Sequence, residues 1–374
     1  MIILITILIL FGASWLLSVK WHIIAPYAFD IEREMDHVRV KVGDTVRLTT
    51  TMTNRKWMPL PWVNVFSNIA PSFNFQGESR SKLTPDHLAE YNMVTSFLFY
   101  ERVKRHDVFI PEKRGYYKLE EMVVSFGDLF GFSKAEKTFD TDQALFVHPK
   151  AQPLSRFDLI PKHQMGPISV KRWISPDPIL AVGARAYTHD DPFNTIDWKS
   201  TAKTGHLQVK KMDYTSEPSL HIYFDVQSNQ KHWNEIDKDA VENGVDICAS
   251  LLEEAMKLHA PIGFCVNSVD PFSRNATFIV PSSSKAQKSK ILDALAMVSP
   301  YRGLPMSQLI RQTHGKLQMG TVIVVVTACL TQSLFGEIKF LGEKGYRVKV
   351  IALKKPEGMD FTRLSAIELI EVAL

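Results

Sequence analysis

Leu220-His221-Ile222-Tyr223-Phe224-Asp225 is the stretch on which the fold turns: an apolar, strand-favouring run closed by a carboxylate. Downstream of it the period changes. From about Asp237, the apolar residues Val241, Val245, Cys248, Leu251, Leu252, Ala255 and Met256 recur at helical spacing, and Pro261 stands just beyond them. Residues 262–266 read as the next strand and 277–280 as its return after a turn at Asp270-Pro271. Ser284 then caps a helix that buries Ile291, Leu292 and Leu295. Residues 321–326 form a continuous buried-strand run, 334–343 a helix closed by Gly345, and 346–353 a further strand. Strands alternating with helices predict a largely parallel sheet, covered on both faces, over residues 220–374.

Upstream, residues 151–219 are rich in Pro, charged and aromatic residues and read as an ordered connecting segment. Residues 30–150 alternate instead, as in Val38-Arg39-Val40-Lys41-Val42 and Val46-Arg47-Leu48-Thr49-Thr50-Thr51, with turn signals at Gly43-Asp44 and around Pro59 and Pro61. Half-buried antiparallel strands at this spacing predict a small β-sandwich. Residues 2–19 carry no charge, and only Thr6, Ser14 and Ser18 interrupt their apolar run. A bilayer core needs about 20 such residues, so residues 1–25 read as a transmembrane anchor with Trp15 and Trp21 at the interfaces. Lys20 and Arg33 both follow the run, which predicts a single-pass protein of the cell membrane with a cytoplasmic body.

The chain has 374 residues, and 44 Lys and Arg against 40 Asp and Glu leave a formal charge of +4, too little to imply a nucleic-acid partner. Lys199, Lys203, Lys210 and Lys211 lie near Trp198 and Tyr214, but Asp213 and Glu217 balance them, which reads as a solvated face. Cys248, Cys265 and Cys329 stand far apart among apolar neighbours, which excludes a disulfide framework and a close-spaced zinc motif. A hydrolase would recruit His189, Asp190, Asp191 and Asp197, yet no nucleophile elbow, His-Glu-x-x-His or phosphate-cradling loop accompanies them.

In an open α/β sheet, ligands sit beyond the carboxyl ends of the strands. Three loops there carry the pattern Asp225-Val226-Gln227-Ser228-Asn229, Arg302-Gly303-Leu304-Pro305 and Thr327-Ala328-Cys329. With these loops the C-terminal part resembles a von Willebrand factor A domain. That resemblance implies a Mg²⁺ site of Asp-x-Ser-x-Ser, a Thr and a further Asp. Here Gln227 and Asn229 replace the two serines, Leu304 the threonine and Ala328 the aspartate, so the expectation is a degenerate site that binds no metal. The alternative is a Mg²⁺-dependent protein-binding module with an atypical site. Asp225 itself is expected to cap the next helix or to pair with a lysine.

The most specific signal is Arg185-Ala186-Tyr187, Asp191, then Ile196-Asp197-Trp198 and Ala202-Lys203, accompanied upstream by Arg114-Gly115-Tyr116 and Val147-His148-Pro149. It closely resembles the signature of the bacterial family called domain of unknown function 58. The resemblance implies a membrane-anchored protein with an immunoglobulin-like sandwich and a von Willebrand A-like module, an accessory partner of a MoxR-type AAA+ ATPase. The fold class expected is therefore multi-domain α/β plus β: an N-terminal transmembrane helix, an immunoglobulin-like β-sandwich and a von Willebrand factor A-like doubly wound α/β domain. The expected function is that of a non-catalytic adaptor that uses no cofactor. Arg185, Asp191, Asp197 and Lys203 alternate in sign around Tyr187 and Trp198, which suits a structural clasp or a partner-contacting surface.

Overall fold

Every second residue of the N-terminal half turns inward, and this period of two makes strand follow strand. The computed structural model describes residues 20–76, 82–83, 89–119, 121–128, 133–154, 159–161, 181–188, 193, 196–212, 219–229, 236–355 and 367–372. The chain divides into two units, Met1–Pro149 and Lys150–Leu374. In the first, α1 (Trp21–Ile24) precedes β1 (Phe29–Met35), β2 (Arg39–Lys41), β3 (Val46–Asn54), β4 (Leu60–Ile69), β5 (Phe73–Gln76) and β6 (Lys82–Leu83). There follow β7 (Ala89–Phe97), β8 (Arg102–Pro111), β9 (Gly115–Lys118), β10 (Met122–Gly127), β11 (Lys134–Phe139) and β12 (Ala144–His148). They form sheets ordered β1-β3-β8-β5, β11-β10-β4-β7-β6 and β2-β12-β9. The two larger sheets share one apolar core. Phe29 of β1 joins them edge-on, 5.4 Å from Phe97 of β7 and 5.0 Å from Phe126 of β10 between ring centres.

A polar layer crosses this core. Arg33 donates from Nη1 to Ser67 Oγ at 3.0 Å and lies over the Tyr91 ring, while the Tyr91 hydroxyl donates to Asp107. Burial holds the Arg33 guanidinium below its ordinary pKa, with Tyr91 and Asp107 opposing. Arg33 is thus a core residue of the first unit, which corrects the expectation that it acts as a flanking charge orienting an anchor.

The second unit contains β13 (Leu159–Pro161), β14 (Ala181–Ala186), α2 (Trp198–Thr204), β15 (Gln208–Met212), β16 (Leu220–Asp225), α3 (Lys238–Lys257) and β17 (Ile262–Val269). It continues with β18 (Ala276–Ser282), α4 (Lys285–Met297), α5 (Met306–Thr313), β19 (Val322–Thr327), α6 (Gln332–Glu343), β20 (Arg347–Ala352) and β21 (Ile367–Val372). The sheet order is β13-β21-β20-β19-β16-β17-β18, parallel at the centre and antiparallel at both edges. β16 is buried along its whole length. Ile222 and Phe224 join the core under α3 and α4, and Tyr223 the core under α5 and α6, which explains the unbroken apolar run. Asp237 caps α3, Ser284 Oγ accepts from the Ala286 amide at the start of α4, and Gly345 beyond α6 takes φ +92°.

The expected fold class is corrected here. The described chain is mostly β-strand in several sheets with few helices, and none of its helices is long and apolar enough to cross a membrane. The expectation of an N-terminal transmembrane helix rested on hydropathy over residues 2–19, which lie outside the described residues. The expected doubly wound sheet is a mixed one, because short edge strands can pair antiparallel through their free edges without a crossover helix.

Candidate functional site

The parallel register of the central strands assembles the site. Asp225, the last residue of β16, pairs in register with Thr327 at the end of β19. Asn267 of β17 follows Val266, the register partner of Phe224. Three protein donors therefore converge on the buried Asp225 carboxylate: the Gln227 amide at 3.1 Å and Asn267 Nδ2 at 2.8 Å on Oδ1, and Thr327 Oγ1 at 3.2 Å on Oδ2. Asn267 Oδ1 in turn accepts from the Val226 amide at 3.0 Å. Burial dominates over these donors and over the nearby Arg302 charge, and pushes the Asp225 carboxyl up to about 6.

The other loop positions do not complete a cation cage. The Gln227 side-chain oxygen accepts from Arg302 Nη1, and its Nε2 donates to the Asn229 carbonyl at 2.8 Å. Leu304 is 42% exposed and offers no oxygen, and Ala328 is buried. A divalent ion needs several free oxygen ligands with compensating charge. One carboxylate already accepting three hydrogen bonds, beside an arginine, does not fit it. Calorimetric titration with Mg²⁺, Mn²⁺ or Ca²⁺ is expected to show no site. Micromolar binding abolished by Asp225→Ala would overturn this.

The expectation that Asp225 caps α3 is corrected as well. Asp237 caps that helix, and Asp237 also pairs with Lys354 at 2.7 Å. Arg302 and Cys329, which the sequence places only in the rim loops, stand near Asp225, and Asn267 is a neighbour that sequence reasoning missed. The signal that could have found Asn267 is its height, one residue past a strand end that a parallel neighbour aligns with Asp225. Burial, with the Asp225 charge adding, pushes the Cys329 thiol up to about 11, and its amide donates to Thr327 Oγ1 at 3.1 Å. It is a packed thiol, unsuited to nucleophilic work.

The signature residues lie on a hairpin and a short helix. β14 and β15 pair antiparallel with Arg185 opposite Val209. The Tyr187 amide donates to the Leu207 carbonyl at 2.9 Å, and its ring stacks on Phe193 with centres 5.8 Å apart. Ile196 is buried and bridges to Val209. Asp197 is the N-cap of α2, accepting from the Lys199 and Ser200 amides and from Ser200 Oγ at 2.9 Å. Trp198, Ala202 and Lys203 of α2 are exposed. His189, Asp190 and Asp191 lie outside the described residues, and so does the Arg185 side chain. Among the described residues no three His, Cys, Asp or Glu gather to hold a metal.

This hairpin, the helix and nearly all of the sheet fall within residues 183–370, which match the family described as "Protein of unknown function DUF58". The chain belongs to the DUF58 family. A relative of this DUF58 chain, "Uncharacterized protein YeaD" of Bacillus subtilis (strain 168), is 27% identical over 335 residues, covering 88% of this chain and 77% of that protein. Two solved structures align with parts of the DUF58 chain at low TM-score. The structure described as "AvmM Catalyzes Macrocyclization in Alchivemycin A Biosynthesis" aligns with TM-score 0.24 at 10% identity, over 33% of this chain and 92% of that one. Spo0M, a sporulation control protein from Bacillus subtilis, aligns with TM-score 0.18 at 12% identity, over 34% of this chain and 51% of that one.

Proposed function

We propose that this DUF58 chain is a non-catalytic adaptor that binds another polypeptide at the carboxyl-end rim of its central sheet, through side chains alone. One observation carries the reading. The Asp225 carboxylate is taken up by Gln227, Asn267 and Thr327, while Tyr301 and Leu304, on either side of Arg302, stand 72% and 42% exposed at the same rim. The isolated bridge between Arg302 and Ser268, near the end of β17, ties that loop to the site. A large aromatic and an aliphatic side chain left in solvent beside a closed polar cluster suit an interface centre rather than a reaction site.

The partner we propose is a MoxR-type AAA+ ATPase, the class that the resemblance of the signature implies. The test is capture of that ATPase from detergent extract by the full chain. Tyr301→Ser with Leu304→Ser is expected to weaken capture by about tenfold or more, the size of a lost interface anchor. Trp198→Ser, on the separate helix α2, serves as the control. Equal loss in both variants would move the contact away from the rim, and recovery of no AAA+ ATPase at all would remove that partner.

A further inference from the structure

One row of side chains on the inner face of the β1-β3-β8-β5 sheet is polar throughout. Arg33 of β1 stands opposite Thr50 of β3, and Thr50 opposite Arg105 of β8, whereas the next row, Ile31, Met52 and Val103, is apolar. Residues directly opposite on neighbouring strands share a face, with Cβ atoms about 5 Å apart. Arg33 and Thr50 are 5% and 0% exposed, while the Arg105 side chain is 38% exposed. The row therefore runs from the core to solvent at its Arg105 end.

The Arg33 guanidinium is engaged along one edge only. Its Nη1 donates to Ser67 Oγ, and its central carbon lies 5.2 Å from the centre of the Tyr91 ring. Nε and Nη2, whose N–H bonds run parallel along the other edge, have no hydrogen-bond partner among the described residues, and neither has Thr50 Oγ1. Asp107, in the adjoining row, is taken up by the Tyr91 hydroxyl and by Arg105 Nε at 3.3 Å. Among the described residues of this layer, two guanidinium groups thus meet one carboxylate. Buried cationic donors left unpaired are costly, and an opposite charge placed among them offsets that cost.

We propose that the first unit binds a small monovalent anion, of the size of chloride or nitrate, at the Nε and Nη2 edge of Arg33 beside the Thr50 hydroxyl. The parallel N–H pair of a guanidinium is the donor geometry that anions select. Charge and burial narrow the class further. One negative charge balances the excess of Arg33 and Arg105 over Asp107, whereas the second charge of a phosphate would reverse it. A water molecule accepts from the same donors but leaves the excess uncompensated. Both Arg33 and Thr50 are buried, which keeps out a carboxylate borne on another polypeptide, and the half-exposed Arg105 marks the side from which a small ion enters.

Sodium bromide is the probe, used on the full chain. Crystals grown with it are expected to show an anomalous peak within hydrogen-bond reach of Arg33 Nε, Arg33 Nη2 and Thr50 Oγ1. In solution, exchanging sodium gluconate for sodium bromide at constant ionic strength should raise the thermal midpoint of the first unit by several degrees, because an ion held only by the folded state stabilises it by mass action. Thr50→Val should weaken the apparent bromide affinity several-fold, and Arg33→Met should abolish the rise. Arg47→Gln, which removes an exposed charge from the other face of β3, should leave the rise intact. If Arg33→Met does not fold, the crystal and Thr50→Val still decide. Water without anomalous signal at the Arg33 edge, or a rise that persists in Arg33→Met, would overturn the proposal. A rise lost equally in Arg47→Gln, the mark of general salt screening, would overturn it too.

Discussion

His221→Leu is expected to remove most of the acid sensitivity of the second unit. His221 is fully buried on β16, its ring edge-on to Tyr223 at 4.7 Å, and neither ring nitrogen has a hydrogen-bond partner among the described residues. Gly263 on β17 leaves room for it, since a Cβ there would stand 2.3 Å from His221 Nδ1 and 2.8 Å from the Ile279 carbonyl. Burial alone lowers the imidazole to about 3 from its ordinary 6.5. The folded state therefore refuses a proton that the unfolded chain accepts. The stability this gives is complete above pH 6.5 and is lost as pH falls toward 3. At ~1.4 kcal/mol per pH unit the loss is on the order of 5 kcal/mol. Leucine cannot titrate and leaves no buried polar atom unpaired, so the variant should match or exceed the parent at pH 7. Denaturant unfolding from pH 8 to 4 measures this, and parallel profiles for parent and variant would refute it.

Asp225→Asn is expected to act with the opposite sign. The folded Asp225 carboxyl lies near 6, above its ordinary 3.8, so its contribution to stability is fully present below pH 3.8 and is lost as pH rises through 6. At ~1.4 kcal/mol per pH unit, the ionised carboxylate costs on the order of 3 kcal/mol at pH 8. Asparagine keeps the geometry. Its oxygen can accept from the Gln227 amide and Asn267, and its nitrogen can donate to Thr327 Oγ1, whose hydrogen turns to the Cys329 carbonyl at 3.1 Å. The variant should equal the parent near pH 4 and exceed it near pH 8. A variant less stable than the parent at pH 8 would show that Arg302 and the three donors outweigh burial. With His221 on the same strand, the two opposed terms make the pH dependence of the second unit separable by single substitutions.

The periodic parts of the chain are legible in its residues. Alternation at Val46, Leu48 and Thr50 places all three inside the first unit, and the runs around 222, 264 and 324 become central parallel strands. Helix ends with a local chemical cause, Asp237, Ser284 and Gly345, are equally readable. Helix α5 buries Met306, Leu309, Ile310 and Thr313 at helical spacing, but its 8 residues are too few for the period to stand out. β21 is a run of only 6 residues, and its place beside β20 comes from parallel pairing rather than from any local signal.

The sequence alone determined the family signature and the strand and helix periods, because each is written in neighbouring residues. Tertiary structure decided what surrounds Asp225, why His221 needs Gly263 and that Arg33 is a core residue. Those depend on strand register and burial, which bring together residues some 30 to 100 positions apart, such as Arg33 with Ser67 and Asp225 with Asn267 and Thr327. A carboxylate, imidazole or guanidinium reads the same in any sequence, and only the number of donors and the water removed around it set its charge and its role.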